Sequence, residues 1–269
     1  MDMVLERFFK GKAVFITGAG SGLGKSLAIK LSEYNAKLVL TDKNEKNLKE
    51  VIEGASKICQ CVGAPADVRN YQELLNLKNK VPKEWFIEIS IANAGVGGIN
   101  PADHFSLEID QAIMGINYFG VVNSLHLFLA EMKSLRRGHL VGISSLASIR
   151  GLPSASSYSA SKAAINNCLE SWRLDLAPQN INVSCIRPGF IKTPMTNHDA
   201  FPLPFMVSSE EAAKLVLLAI AKNLKVYSFP WPMGFLSFIN KFLPVWAYDF
   251  ILPKLSPRDP KNPLLPRIF

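Results

Sequence analysis

Short apolar runs of strand length alternate with longer segments of helical periodicity along most of this chain, and this alternation constrains the fold more than any other feature. Ala13–Thr17 (AVFIT) leads through a turn into Gly24–Tyr34, where Leu27, Ala28 and Leu31 share one helix face. Lys37–Thr41 (KLVLT) leads through Asp42 into the strongly helical NEKNLKEVIEGA. Further strand signals fall at Lys57–Val62, Ile87–Ile91, Gly138–Ile143 and Asn182–Ile186, and helix signals at Tyr71–Lys80, Gln111–Met132 and Ser157–Ala177. Ser208 and Glu211 have the spacing of a capping box and open one more apolar helix. Such a chain builds right-handed βαβ crossovers, so the predicted fold is α/β: a doubly wound parallel sheet with helices on both faces.

A length of 269 residues suits one such domain. Hydrophobic residues make up 48% and charged residues 19%, which excludes a disordered or fibrous chain. The net charge of +8 favours an anionic partner. Because the basic residues are dispersed and no helix-turn-helix or RNA-binding signature is present, nucleic acid is not the expected one. Cys59 and Cys61 lack the companion ligands of a zinc site, so no metal is expected and reduced thiols in a cytoplasmic protein are the simpler reading. The opening MDMVLERFFKGK contains no apolar stretch of signal-peptide length, so export is not indicated.

Thr17 to Gly24 (TGAGSGLG) lies between the first strand and the first helix, where glycines permit a tight turn and close approach of backbone to a pyrophosphate. Gly18, Ser21, Gly22, Leu23 and Gly24 are the candidate phosphate-turn residues. Asp42 ends the second strand, 18 residues after Gly24, where a carboxylate accepts hydrogen bonds from adenosine ribose hydroxyls and repels a 2′-phosphate. NAD is therefore expected over NADP, with Lys43 as a counterweight and a helix N-cap as the plainer role for Asp42. Tyr158 and Lys162 (YSASK) stand four apart on a helix, and an ammonium beside a phenol draws the phenol pKa toward working pH. Alone this spacing is weak. It gains meaning from its place after the fifth strand, near the carboxyl edge of the sheet, and from Ser145, 13 residues earlier, whose hydroxyl is suited to a substrate oxygen. Ser144 is an equally polar neighbour.

Taken in order, TGAGSGLG, ADV (Ala66 to Val68), NAG (Asn93 to Gly95), Asn117, Ser145, YSASK and PGFIKT (Pro188 to Thr193) resemble the compact, single-domain branch of the short-chain dehydrogenase/reductase family. The likeness spans residues about 12 to 195. It implies a Rossmann-like sheet of strand order 3-2-1-4-5-6-7 and hydride transfer between NAD(H) and an alcohol or carbonyl. It implies catalytic Asn117, Ser145, Tyr158 and Lys162, with Asn117 anchoring a water and Tyr158 as acid/base. It also implies Asp67 and Val68 beside adenine, Asn93, Ala94 and Gly95 supporting the central strand and ribose, and Ile191 and Thr193 at the nicotinamide carboxamide. Lys162 would bind the nicotinamide ribose as well as lower the pKa of Tyr158. A homodimer or homotetramer is the implied assembly. Two alternatives stay open: a catalytically silent dinucleotide sensor or scaffold, and, disfavoured by the short region after Thr193, a sugar-nucleotide epimerase or dehydratase.

The chain divides at residue 224 into this domain and an aromatic, Pro-rich extension, 225–269. The extension holds 10 of the 26 aromatic residues and six Lys and Arg against two Asp. Pro244, Lys241 and Asp249 interrupt it, so it is not a membrane span. Short apolar helices over residues about 230 to 252 are expected, closing the substrate site and meeting a membrane surface or second subunit. With the apolar residues of LASIRGLP and AFPLPFMV, the extension suggests a hydrophobic substrate.

Overall fold

The computed structural model describes residues 2–193, 205–255 and 267–268. Seven parallel strands form one sheet: β1 (Ala13–Thr17), β2 (Lys37–Thr41), β3 (Cys61–Gly63), β4 (Ile87–Ala92), β5 (Gly138–Ile143), β6 (Ile181–Pro188) and β7 (Val226–Phe229). Their order is β3-β2-β1-β4-β5-β6-β7, as predicted. Successive side chains of a strand point to opposite faces, so β1 sends Val14 and Ile16 into one core and Ala13 and Phe15 into the other. The first core is closed by α1 (Asp2–Phe9), α2 (Gly22–Glu33), α3 (Glu45–Ala55) and α9 (Ser209–Ala221), with Leu5, Leu27, Leu48 and Val216 against the sheet. The second is closed by α4 (Tyr71–Lys78), α5 (Leu107–Met114), α6 (Gly120–His126), α7 (Leu129–Ser134) and α8 (Ser156–Leu176), through residues such as Leu74, Val121, Met132 and Ile165. Ser208 caps α9 by accepting from the Glu211 amide at 3.1 Å, as its spacing predicts.

Three expectations are corrected. The strand read at Lys57–Val62 pairs with β2 only over Cys61–Gly63. The amides of Lys57, Ile58 and Cys59 are committed to carbonyls in the last turn of α3, so these residues finish the helix rather than start a strand. The long helix at Gln111–Met132 is broken into α5, a π-helical turn at Gly115–Phe119, α6 and α7. The wide turn carries Asn117 into the interior. Finally, β7 lies beyond residue 224 and pairs with β6, so the sheet runs past the expected division. Two helices follow it, α10 (Trp231–Phe242) and α11 (Val245–Leu255), within the segment where short helices are expected. Of AFPLPFMV, residues 200–204 lie outside the described residues.

One buried group makes the sheet acid-sensitive. His139 on β5 contacts the Ser184 hydroxyl at 2.8 Å, and Ser184 itself donates to the Leu224 carbonyl at 2.6 Å, so the imidazole Nε2 donates. Burial, with Lys225 nearby, pushes the imidazole down to about 4. The unfolded chain therefore binds the extra proton first as pH falls from the ordinary histidine value toward 4, and stability is lost in that window. Up to about 3 kcal/mol is at stake. His139→Gln is expected to flatten the fall of Tm between pH 6.5 and 4 in thermal melts; an unchanged acid limb would refute the assignment.

Candidate active site

The turn from Thr17 to Gly24 is built by interlocking backbone. Gly18 adopts φ +66°, and a Cβ there would meet Ala94 Cα at 2.8 Å, so the turn lies directly on the strand-end segment Asn93–Ala94. Thr17 Oγ1 accepts from the amides of Asn93 and Ala94 at 3.2 and 3.1 Å, and Asn93 Nδ2 donates to the carbonyls of Thr17 and Gly18. Asn93 thus props the turn. Gly22 (φ +50°) faces Thr193, whose Cγ2 would lie 3.2 Å from an added Cβ. Ser21 precedes α2 in an extended conformation and its side chain makes no capping bond, leaving the N-terminal amides of that helix for an anion.

Asp42 reaches this turn from the end of β2. Its Oδ2 accepts from the Gly20 amide at 2.9 Å and its Oδ1 from the Asn44 amide at 2.8 Å. The cap of α3 is Asn44, which accepts from the Asn47 amide, so the N-cap role for Asp42 is set aside. Asp67 is clasped by Arg69, whose guanidinium holds the carboxyl below the usual carboxylate range against the opposing effect of burial.

At the other end of the site, α8 brings Tyr158 and Lys162 under the loop that follows β5. The two serines left equivalent by sequence separate here. Ser144 is buried, with its hydroxyl donating to the Lys162 carbonyl at 3.1 Å, whereas the Ser145 hydroxyl accepts from the Ala147 amide at 3.1 Å and is near enough to the Tyr158 phenol to favour its ionised form. Burial pushes that phenol above its ordinary value, and the Ser145 hydroxyl opposes this. Burial also pushes the Lys162 ammonium down, to about 8. Its Nζ lies 5.8 Å from the Tyr158 ring centroid and donates to the Ile143 carbonyl at 3.0 Å. Burial is thus the larger influence on the phenol, and the group that opposes it is Ser145. Asn117 binds the backbone of Val96 through both amide atoms, at 2.9 and 3.0 Å, and donates to Ser161 Oγ at 3.1 Å.

These residues border one cleft of about 870 Å³ at the carboxyl edge of the sheet. All the residues nominated from the sequence line it except Gly24 and Asn117. Gly24 is the contact between turn and helix, and Asn117 is the buried clamp behind Val96. The cleft has room for a dinucleotide and a small apolar substrate together. Phe190, Ile149 and Arg150 also line it, as do Met233, Ser237 and Asn240 from α10, in segments the sequence pointed to without naming these residues. Arg150 Nη1 donates to the carbonyls of Asn240 and Leu243 at 3.1 and 2.9 Å, and its guanidinium lies 3.8 Å from the Tyr248 ring centroid. The signal for this was available only as a basic residue inside the apolar LASIRGLP.

Residues 12–200 match the sequence profile of the short chain dehydrogenases. An uncharacterized oxidoreductase of Myxococcus xanthus is 33% identical over 240 residues, covering 88% of this chain and 95% of its own. The 3-oxoacyl-acyl-carrier-protein reductase FabG of Thermotoga maritima is 29% identical over 228 residues, or 77% of this chain and 89% of its own. A short chain dehydrogenase of Burkholderia cenocepacia solved with NADP has a TM-score of 0.79 at 26% identity, covering 91% of this chain and 98% of that one. One from Burkholderia phymatum, solved with NAD, shares the fold with a TM-score of 0.78 at 23% identity, over 94% and 98%. With a glycine turn, a seven-stranded parallel sheet and a serine, tyrosine and lysine meeting at its carboxyl edge, the chain belongs to the short-chain dehydrogenase/reductase family of oxidoreductases.

Proposed function

We propose that this protein is an NAD(H)-dependent dehydrogenase or reductase acting on an apolar alcohol or carbonyl compound. The observation that carries the reading is the convergence of Ser145, Tyr158 and Lys162 in the same cleft as the phosphate turn and Asp42. The nicotinamide, when bound, supplies or takes up the hydride. Tyr158 moves the proton at the substrate oxygen, and Ser145 orients that oxygen and the phenol together. Buried Lys162, with Ile143 fixing its ammonium, offers a positive charge and donors to the ribose and favours the phenolate as it forms. Asn117 holds Val96 and Ser161 in place and keeps the loop beside Lys162 rigid. Glycines of the turn and the start of α2 hold the pyrophosphate, Asp67 and Val68 border the adenine, and Ile191 and Thr193 hold the carboxamide. Assembly as a homodimer or homotetramer and a cytoplasmic location with peripheral membrane contact complete the proposal.

Substrate class is tested by a turnover screen with NAD and NADH over alcohols and carbonyls of increasing chain length. Turnover that rises with chain length supports it; NADH binding without turnover of any member would make the protein a silent dinucleotide sensor. Relatives solved with NAD and with NADP leave the nucleotide to this chain's own residues, among which Asp42 supports NAD. At contact, two unit charges repel by about 1 kcal/mol even at the dielectric of water, so a preference of at least about tenfold for NAD(H) is expected from a doubly charged phosphate. Asp42→Ala is expected to narrow it in paired titrations. Equal affinities in the unaltered protein would show that Lys43 offsets Asp42.

A further inference from the structure

α10 has two opposed faces. Met233, Ser237 and Asn240 fall together on the helical wheel and line the cleft. Trp231, Phe235, Phe238 and Phe242 fall on the opposite side, exposed by 76, 55, 59 and 67%. The stripe is built of two ring pairs: Trp231 stacks on Phe235 at 6.0 Å, and Phe238 meets Phe242 edge to face at 5.2 Å. α11 adds Val245, Trp246 and Phe250, each more than half exposed. Contiguous aromatic surface of this kind marks an interaction site.

The charges identify what covers it. Lys241 is exposed beside the stripe, residues 225–269 carry six Lys and Arg against two Asp, and the chain has a net charge of +8. Two copies of a chain with net charge +8 repel each other, whereas anionic lipid headgroups attract it. No described helix is long and apolar enough to cross a membrane, so these helices would lie in the interface plane. Asp249 is exposed on α11.

We propose that α10 and α11 dock the protein on an anionic lipid surface, so that α10 alone separates the acyl boundary from the cleft and the substrate enters from the lipid phase. The wall is one helix thick, about 10 Å. Arg150 couples it to the chemistry, because the loop after β5 carries both Ser145 and the arginine that holds the end of α10, and Tyr248 of α11 donates to the Gly151 carbonyl at 2.5 Å. The entry route rests on the apolar-substrate reading above; the docking does not.

Flotation of the full-length chain with vesicles of phosphatidylcholine, with and without phosphatidylserine, tests the docking. Binding is expected to both and stronger to the anionic vesicles. Combined Trp231→Ser, Phe235→Ser and Phe238→Ser should lower partitioning at least about tenfold, with NADH affinity unchanged because these residues lie outside the cleft. Lys241→Gln should lower binding to the anionic vesicles about fivefold and leave neutral binding unchanged. No flotation of the unaltered chain, or a dimer that the triple variant dissociates, overturns the docking. For the route, long alkanols loaded into vesicles are compared with short alkanols in solution. The triple variant should lose about tenfold in rate on the former and keep the latter; equal loss on both overturns entry from lipid. Vesicle binding with no alcohol turnover at all would remove the substrate reading and leave the docking standing.

Discussion

Tyr158→Phe is expected to reduce turnover by about 10²- to 10⁴-fold, the range for loss of a positioned acid/base, while NADH affinity stays within a few-fold. The substitution removes one oxygen, and the group that acts on that oxygen is Ser145 rather than any group of the phosphate turn. Ring packing and the Lys162 bond to the Ile143 carbonyl are preserved, so a fall in kcat without a matching fall in nucleotide binding isolates the proton transfer. Ser145→Ala should be milder on nucleotide binding still and large on kcat/KM. Near-normal turnover of Tyr158→Phe, measured with any substrate the unaltered protein accepts, would refute the mechanism.

Gly24→Ala is the second large effect, and it acts through folding as well as binding. An added Cβ would lie 2.0 Å from the Gly18 carbonyl oxygen and 2.6 Å from Asn93 Nδ2. Neither can retreat cheaply, since one is backbone and the other is the amide that props the turn. Overpacking of this kind costs about 3 kcal/mol or more, which in a chain of this size lowers Tm by roughly 6 to 12 °C. NADH affinity should fall further than the melting shift suggests, because relief of the clash opens the turn that receives the pyrophosphate. Gly54→Ala is the matched control: nothing lies within 4 Å of its added Cβ, and alanine in a helix is favoured over glycine by up to about 1 kcal/mol, so Tm should hold or rise. Normal nucleotide affinity in Gly24→Ala would show that the turn does not bind the phosphates.

Hydrophobic periodicity by itself determined the parallel sheet and its helical layers, because each strand buried on both faces must be apolar throughout and each crossover helix must show one apolar stripe. The glycine turn, Asp42 and the Tyr158–Lys162 pair were legible for a related reason: their chemistry depends on spacing along one strand or one helix. What lies between distant segments was not. The break of the long helix at Gly115–Phe119 follows from Asn117 clamping Val96, 21 residues away, and no local propensity signals a wide turn. Ser144 and Ser145 are told apart only in three dimensions, where the Ser144 hydroxyl is spent on the Lys162 carbonyl and the Ser145 hydroxyl stands by the Tyr158 phenol. Burial of the Tyr158 phenol, which pushes its pKa up, depends on the whole surrounding fold and had no signal in the local sequence. The extension was recognisable as aromatic and basic, but only the tertiary structure turned one face of α10 to the cleft and the other outward, because Arg150, ninety residues before Asn240, is the group that holds the helix there.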